Sequence, residues 1–297
     1  MNDFKSNPHR QLYLKWLFMI LLTGLIQYSG FSQSDSHKIK ISRDLELIQI
    51  SNDAWVHVSY FETKNYGRVG ANGLVFIDGH KAFLFDSPWN DSLTRDLVSW
   101  LADSLKTEVV GFIPNHWHDD CMGGLGYLHR QKIESYANQM TIDISQTKGL
   151  EPPKHGFKDT LELALGDKIV KCYYFGPAHT LDNIVVWIPS EQILFAGCMV
   201  KSLNSTDLGN TADGDLLAYP QTIARLIYQF PNAKIVIPGH GPFGGLDLVH
   251  HTRDLLTKSN NWKNTLVPGR IAATSIRLHS GSPVEATTEV LNHKQQH

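Results

Sequence analysis

Only three cysteines occur in 297 residues: Cys121, Cys172 and Cys198. A disulfide-stapled scaffold is therefore excluded, and an odd number cannot be paired completely within one chain. A basic surplus is also missing. Lys and Arg total 27 against 29 Asp and Glu, a formal net charge of −2, so the electrostatic footprint of a nucleic-acid binder is absent. Charged residues are 19% and hydrophobic residues 42% of the chain, which rules out disorder, collagen and coiled coil as its main character. A long membrane-spanning run is lacking as well. The apolar stretch Trp16–Ile26 covers eleven residues, where about 20 are needed to cross a bilayer. There is no close internal repeat.

Lys5, Arg10 and Lys15 precede that short apolar run, and Gly30-Phe31-Ser32 follows it. A positive segment, a short apolar segment and small residues in this order predict a secretory signal peptide over 1–33. The competing reading is an N-terminal membrane anchor. Export implies a periplasmic location and no stable membrane association once the signal is cleaved. The domain is expected over 34–267. Residues 268–297 are polar with little periodicity and are expected to form a flexible tail.

Within the domain, Leu45–Ile50 and Trp55–Tyr60 alternate as half-buried strands, while Gly73–Ile77 and Ala82–Phe85 are continuous apolar runs. Asp78-Gly79 suits a tight hairpin between the last two. The polar stretch between Phe61 and Asn72 reads as a mobile hairpin tip. Asn90 or Asp91 caps a helix to about Leu105, and Glu108–Ile113 is a buried strand. Short helices are predicted over Gly123–Arg130 and within Met140–Gly149. The second half follows the same pattern, with strands at Lys168–Phe175, Asn183–Trp187, Ile193–Ala196 and Ala233–Ile237, and helices at Ala218–Phe230 and Leu246–Lys258. Both halves run from strands to helix, which predicts an α/β fold of two packed sheets with helices outside.

The unusual abundance is histidine, at 15, the commonest metal ligand. Asn115-His116-Trp117-His118-Asp119-Asp120 follows a buried strand directly. His116 and His118 are two apart, so extended backbone places both imidazoles on one face, and Asp120 can reach the same side. Two imidazoles and a carboxylate on five residues are a metal-site candidate. Further donors recur at strand ends: His179 in Gly176-Pro177-Ala178-His179, Cys198 in Ala196-Gly197-Cys198, and His240 in Pro238-Gly239-His240-Gly241. Glycine beside each permits a tight turn and close approach. Together the six supply two zinc sites of three ligands each. A purely structural zinc module needs four closed ligands.

The order HWHDD–CMGG, GPAHTLDN, GCMVKS and PGHG resembles the metallo-β-lactamase family, within it the di-zinc, broad-spectrum subclass, over roughly residues 41–262. The resemblance implies a four-layer αββα sandwich and two Zn2+ per chain. His116, His118 and His179 match a three-His site; Asp120, Cys198 and His240 match the second. Lys201 matches a lysine that takes the substrate carboxylate, and Asn210 an asparagine near the substrate carbonyl; with Asp120 they form the implied catalytic set. The implied activity is hydrolysis of the β-lactam amide of penicillins, cephalosporins and carbapenems by a zinc-held hydroxide, giving antibiotic resistance. The implied partner is a small β-lactam, with no nucleic acid, and the chain is expected to be a monomer. Cys121 stands where many superfamily hydrolases place a histidine and is read as an outer or inert residue. Asp86, ending a buried strand, is either a partner to a ligand or a turn cap. Two readings stay open beside this one: a di-zinc hydrolase of the same fold acting on an ester, lactone or thioester, and a zinc-binding protein without turnover.

Overall fold

The computed structural model describes residues 37–265, with side chains to residue 259. The signal peptide expected over 1–33 and the tail expected over 268–297 lie outside the described residues.

The chain opens with an antiparallel meander. Strands β1 (Lys38–Ser42), β2 (Leu45–Gln49), β3 (Ala54–Thr63), β4 (Gly67–Asp78) and β5 (Lys81–Phe85) pair in sequence order. The β4–β5 connection is a two-residue loop between paired Asp78 and Lys81, with Gly79 at φ +59, the left-handed conformation that a tight hairpin needs. Helix α1 (Asp91–Leu105) starts where the Asn90 side chain accepts the Leu93 N–H at 3.0 Å, which satisfies one of the orphan donors of the first turn. It buries Thr94, Leu97 and Leu101 on the sheet and stops at Lys106, which takes a left-handed φ of 52°. The chain then returns as β6 (Glu108–Ile113), parallel to β5. This β–α–β crossover leaves the loop after β6 at the sheet's edge, where the histidine motif lies.

Short helices α2 (Asp119–Met122) and α3 (Leu125–Arg130) lead to β7 (Glu134–Asn138), helix α4 (Gln139–Thr147) and β8 (His155–Phe157), which complete the first sheet. The second sheet orders β13 (Ile235–Pro238), β12 (Ile193–Gly197), β11 (Val185–Ile188), β10 (Lys168–Tyr173) and β9 (Thr160–Leu165). Helix α5 (Tyr219–Gln229) makes the parallel crossover from β12 to β13, and α6 (Asp247–Thr265) follows.

Three apolar clusters define the layers. Val56, Leu74, Phe76 and Phe85 of the first sheet meet Val170, Val186, Phe195 and Ile237 of the second between the sheets. Leu45, Leu47, Val75 and Leu84 pack outward against Leu97 and Leu101 of α1. Val185, Leu194 and Val236 pack outward against Ile223 and Leu226 of α5 and Leu248 and Leu255 of α6. Strands apolar on both faces explain the continuous runs read from the sequence. The architecture is a four-layer αββα sandwich. Among the described residues no helix is long and apolar enough to cross a membrane.

One expectation is corrected. The stretch between Phe61 and Asn72 is mostly strand, not tip: β3 and β4 stay paired to Thr63 and Gly67, so the connection is only Lys64-Asn65-Tyr66. This ribbon projects beyond the sheets and its outer residues face solvent. It therefore lacks the apolar alternation by which strands are read.

Candidate metal centre

The loop after β6 carries His116 and His118, and Asp120 sits in the first turn of α2. His118 is the helix cap in extended conformation (φ −70°, ψ 161°). Asp120 thus reaches the histidines by the start of a helix, not by continued strand alternation. His116 Nε2 lies 2.9 Å from His118 Nδ1. His179, from the loop between β10 and β11, brings its ring centroid to 5.0 Å from that of His116 and 5.5 Å from that of His118. One ligand atom from each of the three lies within 4.8 Å of the others.

The other three donors converge beside them. His240 Nε2 is 3.1 Å from Asp120 Oδ2 and 3.3 Å from Cys198 Sγ, and Cys198 Sγ is 3.3 Å from the same carboxylate oxygen. Asp120 joins the two groups, its Oδ1 standing 3.9 Å from His116 Nε2. The backbone makes room for this. A Cβ on Gly239 would fall 2.3 Å from Cys198 Sγ, so only glycine lets the two strand-end loops meet there.

Most rings are anchored on the side away from the cluster. His118 Nε2 donates to Asp213 Oδ2 at 3.0 Å. His240 Nδ1 donates to the Gly70 carbonyl at 2.8 Å. His116 Nδ1 donates to Asn115 Oδ1 at 3.3 Å. Each such bond fixes the tautomer and turns the other nitrogen's lone pair inward. Asp213 has no signal in the sequence, since it is 95 residues from His118 and its loop reads only as a turn. Asp86 contacts no histidine ligand: it accepts the Asn115 backbone N–H and, at 3.2 Å, the Cys121 thiol. Cys121 Sγ lies 3.2 Å from His116 Nδ1, so Cys121 and Asp86 form a buttress under the motif. Below it His57 Nε2 donates to the Asp86 carbonyl at 3.0 Å.

Protonation states suit a divalent cation. Burial pushes the His116 imidazole down to about 3 and holds His179 well below the usual histidine range, so both are neutral donors. Burial would raise the Asp120 carboxyl, but the His240 hydrogen bond and the neighbouring imidazoles outweigh it and keep it ionised. The neighbouring Cys121 and the His240 imidazole bring the Cys198 thiol below its ordinary range against the opposing effect of burial. Burial drives Cys121 the other way, and Cys172 up to about 12 inside β10. A neutral His116 and His179, an ionised Asp120 and a Cys198 sulfur shifted toward thiolate are states in which these side chains bind metal. Cys198 and Asp120 outweigh burial and hold the His240 imidazole well above the usual range, so it gives up a proton when it ligates. His179 Nδ1 is buried without a hydrogen-bond partner. The donor set fits two zinc ions.

The cluster forms the floor of a cavity of about 580 Å³. Lys201, Gly209, Asn210 and Asp213 line one part of it; Trp117 and Asp119 stand beside the histidines; Trp89, Val69 and the β3–β4 tip complete it. Lys201 is half-buried, its backbone N–H donating to Thr252 Oγ1 at 2.8 Å, and burial lowers its amine. Asn210 is exposed, and its Oδ1 accepts the Ala212 N–H at 3.2 Å.

A sandwich with two adjoining donor triads on its strand-end loops, under an open cavity, defines a two-metal hydrolase scaffold. No protein-family model matches the chain. Its sequence is 48% identical over 239 residues to the metallo-beta-lactamase type 2 of Bacteroides fragilis, covering 80% of this chain and 95% of that protein. It is 36% identical over 214 residues to the metallo-beta-lactamase type 2 of Bacillus cereus, covering 71% and 82%. Among solved structures, a metallo-beta-lactamase from Pontibacter korlensis superposes with a TM-score of 0.69 at 38% identity, covering 72% of this chain and 99% of that one. DIM-1 metallo-beta-lactamase matches with a TM-score of 0.69 at 36% identity, covering 73% and 98%. The chain belongs to the metallo-β-lactamase family.

Proposed function

We propose that the protein is a zinc-dependent β-lactamase that opens the cyclic amide of penicillins, cephalosporins and carbapenems, and so confers resistance to them. The observation that carries this is the convergence of six donors beneath a cavity, four of them (His118, Asp120, His179 and His240) lining it, with Lys201 and Asn210 on its wall. His116, His118 and His179 would hold one zinc, and Asp120, Cys198 and His240 the other. When bound, the pair supplies Lewis acidity and lowers the pKa of water to about 7.

The chain's own groups divide the remaining work. Lys201 binds the carboxylate of the substrate as a compact point charge. Asn210, its Oδ1 already engaged by Ala212, has its NH₂ group left to donate to the lactam carbonyl oxygen, where negative charge develops. Asp120 orients the attacking water by accepting its hydrogen bond. Asp213 is a positioning residue that holds the His118 ring. Trp89 and Val69 shield the cavity from bulk water on the hairpin side.

The native context of this reading is a monomeric domain over 34–267 in the periplasm. The basic residues Lys5, Arg10 and Lys15 ahead of the short apolar run support export.

Hydrolysis of a chromogenic cephalosporin by the purified protein tests the reading. Turnover of an ester, lactone or thioester with no lactam cleavage overturns it. Lys201→Ala is expected to raise KM about tenfold with kcat within about threefold, the signature of a contact made equally in ground and transition states. A loss confined to kcat contradicts the role given to Lys201.

A further inference from the structure

The β3–β4 tip brings a second lysine to the cavity. Lys64 is exposed and lines it together with Thr63, Asn65 and Tyr66. The tip is built, not loose. Thr63 Oγ1 donates to the Gly67 carbonyl and accepts the Tyr66 N–H, both at 3.0 Å. Gly67 has φ +65, as expected of a three-residue hairpin loop closed by a left-handed residue. The stem is braced on its outer side, where the Arg68 guanidinium pairs with Asp44, donates to the Arg43 carbonyl at 3.1 Å and sits 4.4 Å over the Tyr60 ring. Phe61 stacks on Trp89 at 5.5 Å.

Register places Lys64 relative to the metal ligands. The Gly70 carbonyl takes the His240 hydrogen bond, and Gly67, the last paired residue, is three positions further out. At the strand rise, the tip stands ~10 Å beyond the His240 level. Neither Lys64 nor Lys201 makes an ion pair among the described residues, whereas Asp120 faces His240 and Asp213 is taken by His118. The exposed carboxylate Asp119 lies in the first turn of α2, beside the histidines, and makes no ion pair with either lysine among the described residues. The cavity therefore has two separate cationic poles, one near the floor and one at the rim.

We propose that Lys64 is a specificity residue, pairing with a second anionic group carried on the acyl side chain of the substrate while Lys201 holds the carboxylate on the ring. The enzyme is thereby tuned to dianionic β-lactams. The inference rests on the β-lactamase reading and extends it to a substrate class. An ion pair at an exposed tip changes binding by only a few-fold, and reversing the charge converts attraction into repulsion.

The test compares benzylpenicillin with its α-carboxy derivative, which differ in one side-chain carboxylate. For Lys64→Gln, the ratio of kcat/KM for the carboxy compound to that for the parent is expected to fall about threefold, and for Lys64→Glu about tenfold. The change should reside in KM, with the parent's kcat/KM within about twofold of the unmodified enzyme's. It should shrink at about 0.5 M salt, where the screening length is only a few ångströms. A ratio unmoved by Lys64→Glu, with the parent still hydrolysed, overturns the proposal alone. Failure of the unmodified enzyme to hydrolyse either penicillin overturns the β-lactamase reading and this inference with it.

Discussion

Asp120→Asn is expected to lower kcat/KM for a cephalosporin by about 10²- to 10³-fold, the range seen when a single charge-stabilising group is removed from a reaction centre. The change keeps the shape of the side chain and removes its charge. One carboxylate oxygen lies 3.1 Å from His240 and 3.3 Å from Cys198, and the other 3.9 Å from His116. The carboxylate therefore stands between the two donor groups, placed to bind metal and to link them. An amide in its place turns N–H donors toward groups that must themselves be donors to metal. Zinc content should fall from two per chain toward one, with the kinetic loss mainly in kcat. Full zinc content with kcat/KM within about threefold of the unmodified enzyme's contradicts the role assigned to Asp120.

Cys198→Ser is expected to weaken zinc at the second site by at least about 10- to 100-fold. That is the cost of losing only an outer partner of a ligand, and here the proposed ligand itself is lost. Turnover should fall by a similar factor. The thiol is brought below its ordinary range, so it more readily offers an anionic, polarisable donor. A serine hydroxyl stays protonated and is a poorer donor. The sign of the pH dependence follows: protons compete with zinc for the Cys198 thiolate, so retention of the second zinc should weaken as pH falls. Cobalt(II) substitution reads the ligand directly, because thiolate ligation gives a charge-transfer band that the serine variant must lack. Persistence of that band, or undiminished zinc affinity, contradicts the assignment of Cys198.

Much of this is legible in the sequence because the relevant signals are local. The continuous runs Gly73–Ile77 and Ala82–Phe85 are strands sandwiched between two apolar layers, and burial on both faces is what produces an unbroken apolar run. The Asn90 cap is visible because the residue that ends the loop is also the one that satisfies the helix. His116 and His118 stand out because two donors two apart need no tertiary information. His179, Cys198 and His240 gain meaning only through their shared position at strand ends and through family resemblance.

What stays hidden depends on long-range placement or weak patterning. Asp213 reaches His118 across 95 residues, and nothing beside it in the chain marks it. The outer half of the β3–β4 ribbon mixes Phe61 and Val69 with glycine, charged and polar residues and is mostly exposed, so it reads as loop. β9 (Thr160–Leu165) alternates Leu161, Leu163 and Leu165 with more exposed residues. That signal is present in the sequence, yet this sheet-edge strand falls outside the expected elements. The outward anchors of His118 and His240, Asp213 and the Gly70 carbonyl, lie far from them in the chain, which no spacing rule encodes.

Zinc titration of the purified protein bears most directly on the central claim. Chelation to below about 0.1 zinc per chain should abolish cephalosporin hydrolysis, the water-activating groups having been removed with the metal. Stepwise return of zinc should restore it, with bound metal saturating at about two per chain, as two three-ligand sites require. Undiminished hydrolysis after chelation, or saturation with no recovery of activity, would contradict the account.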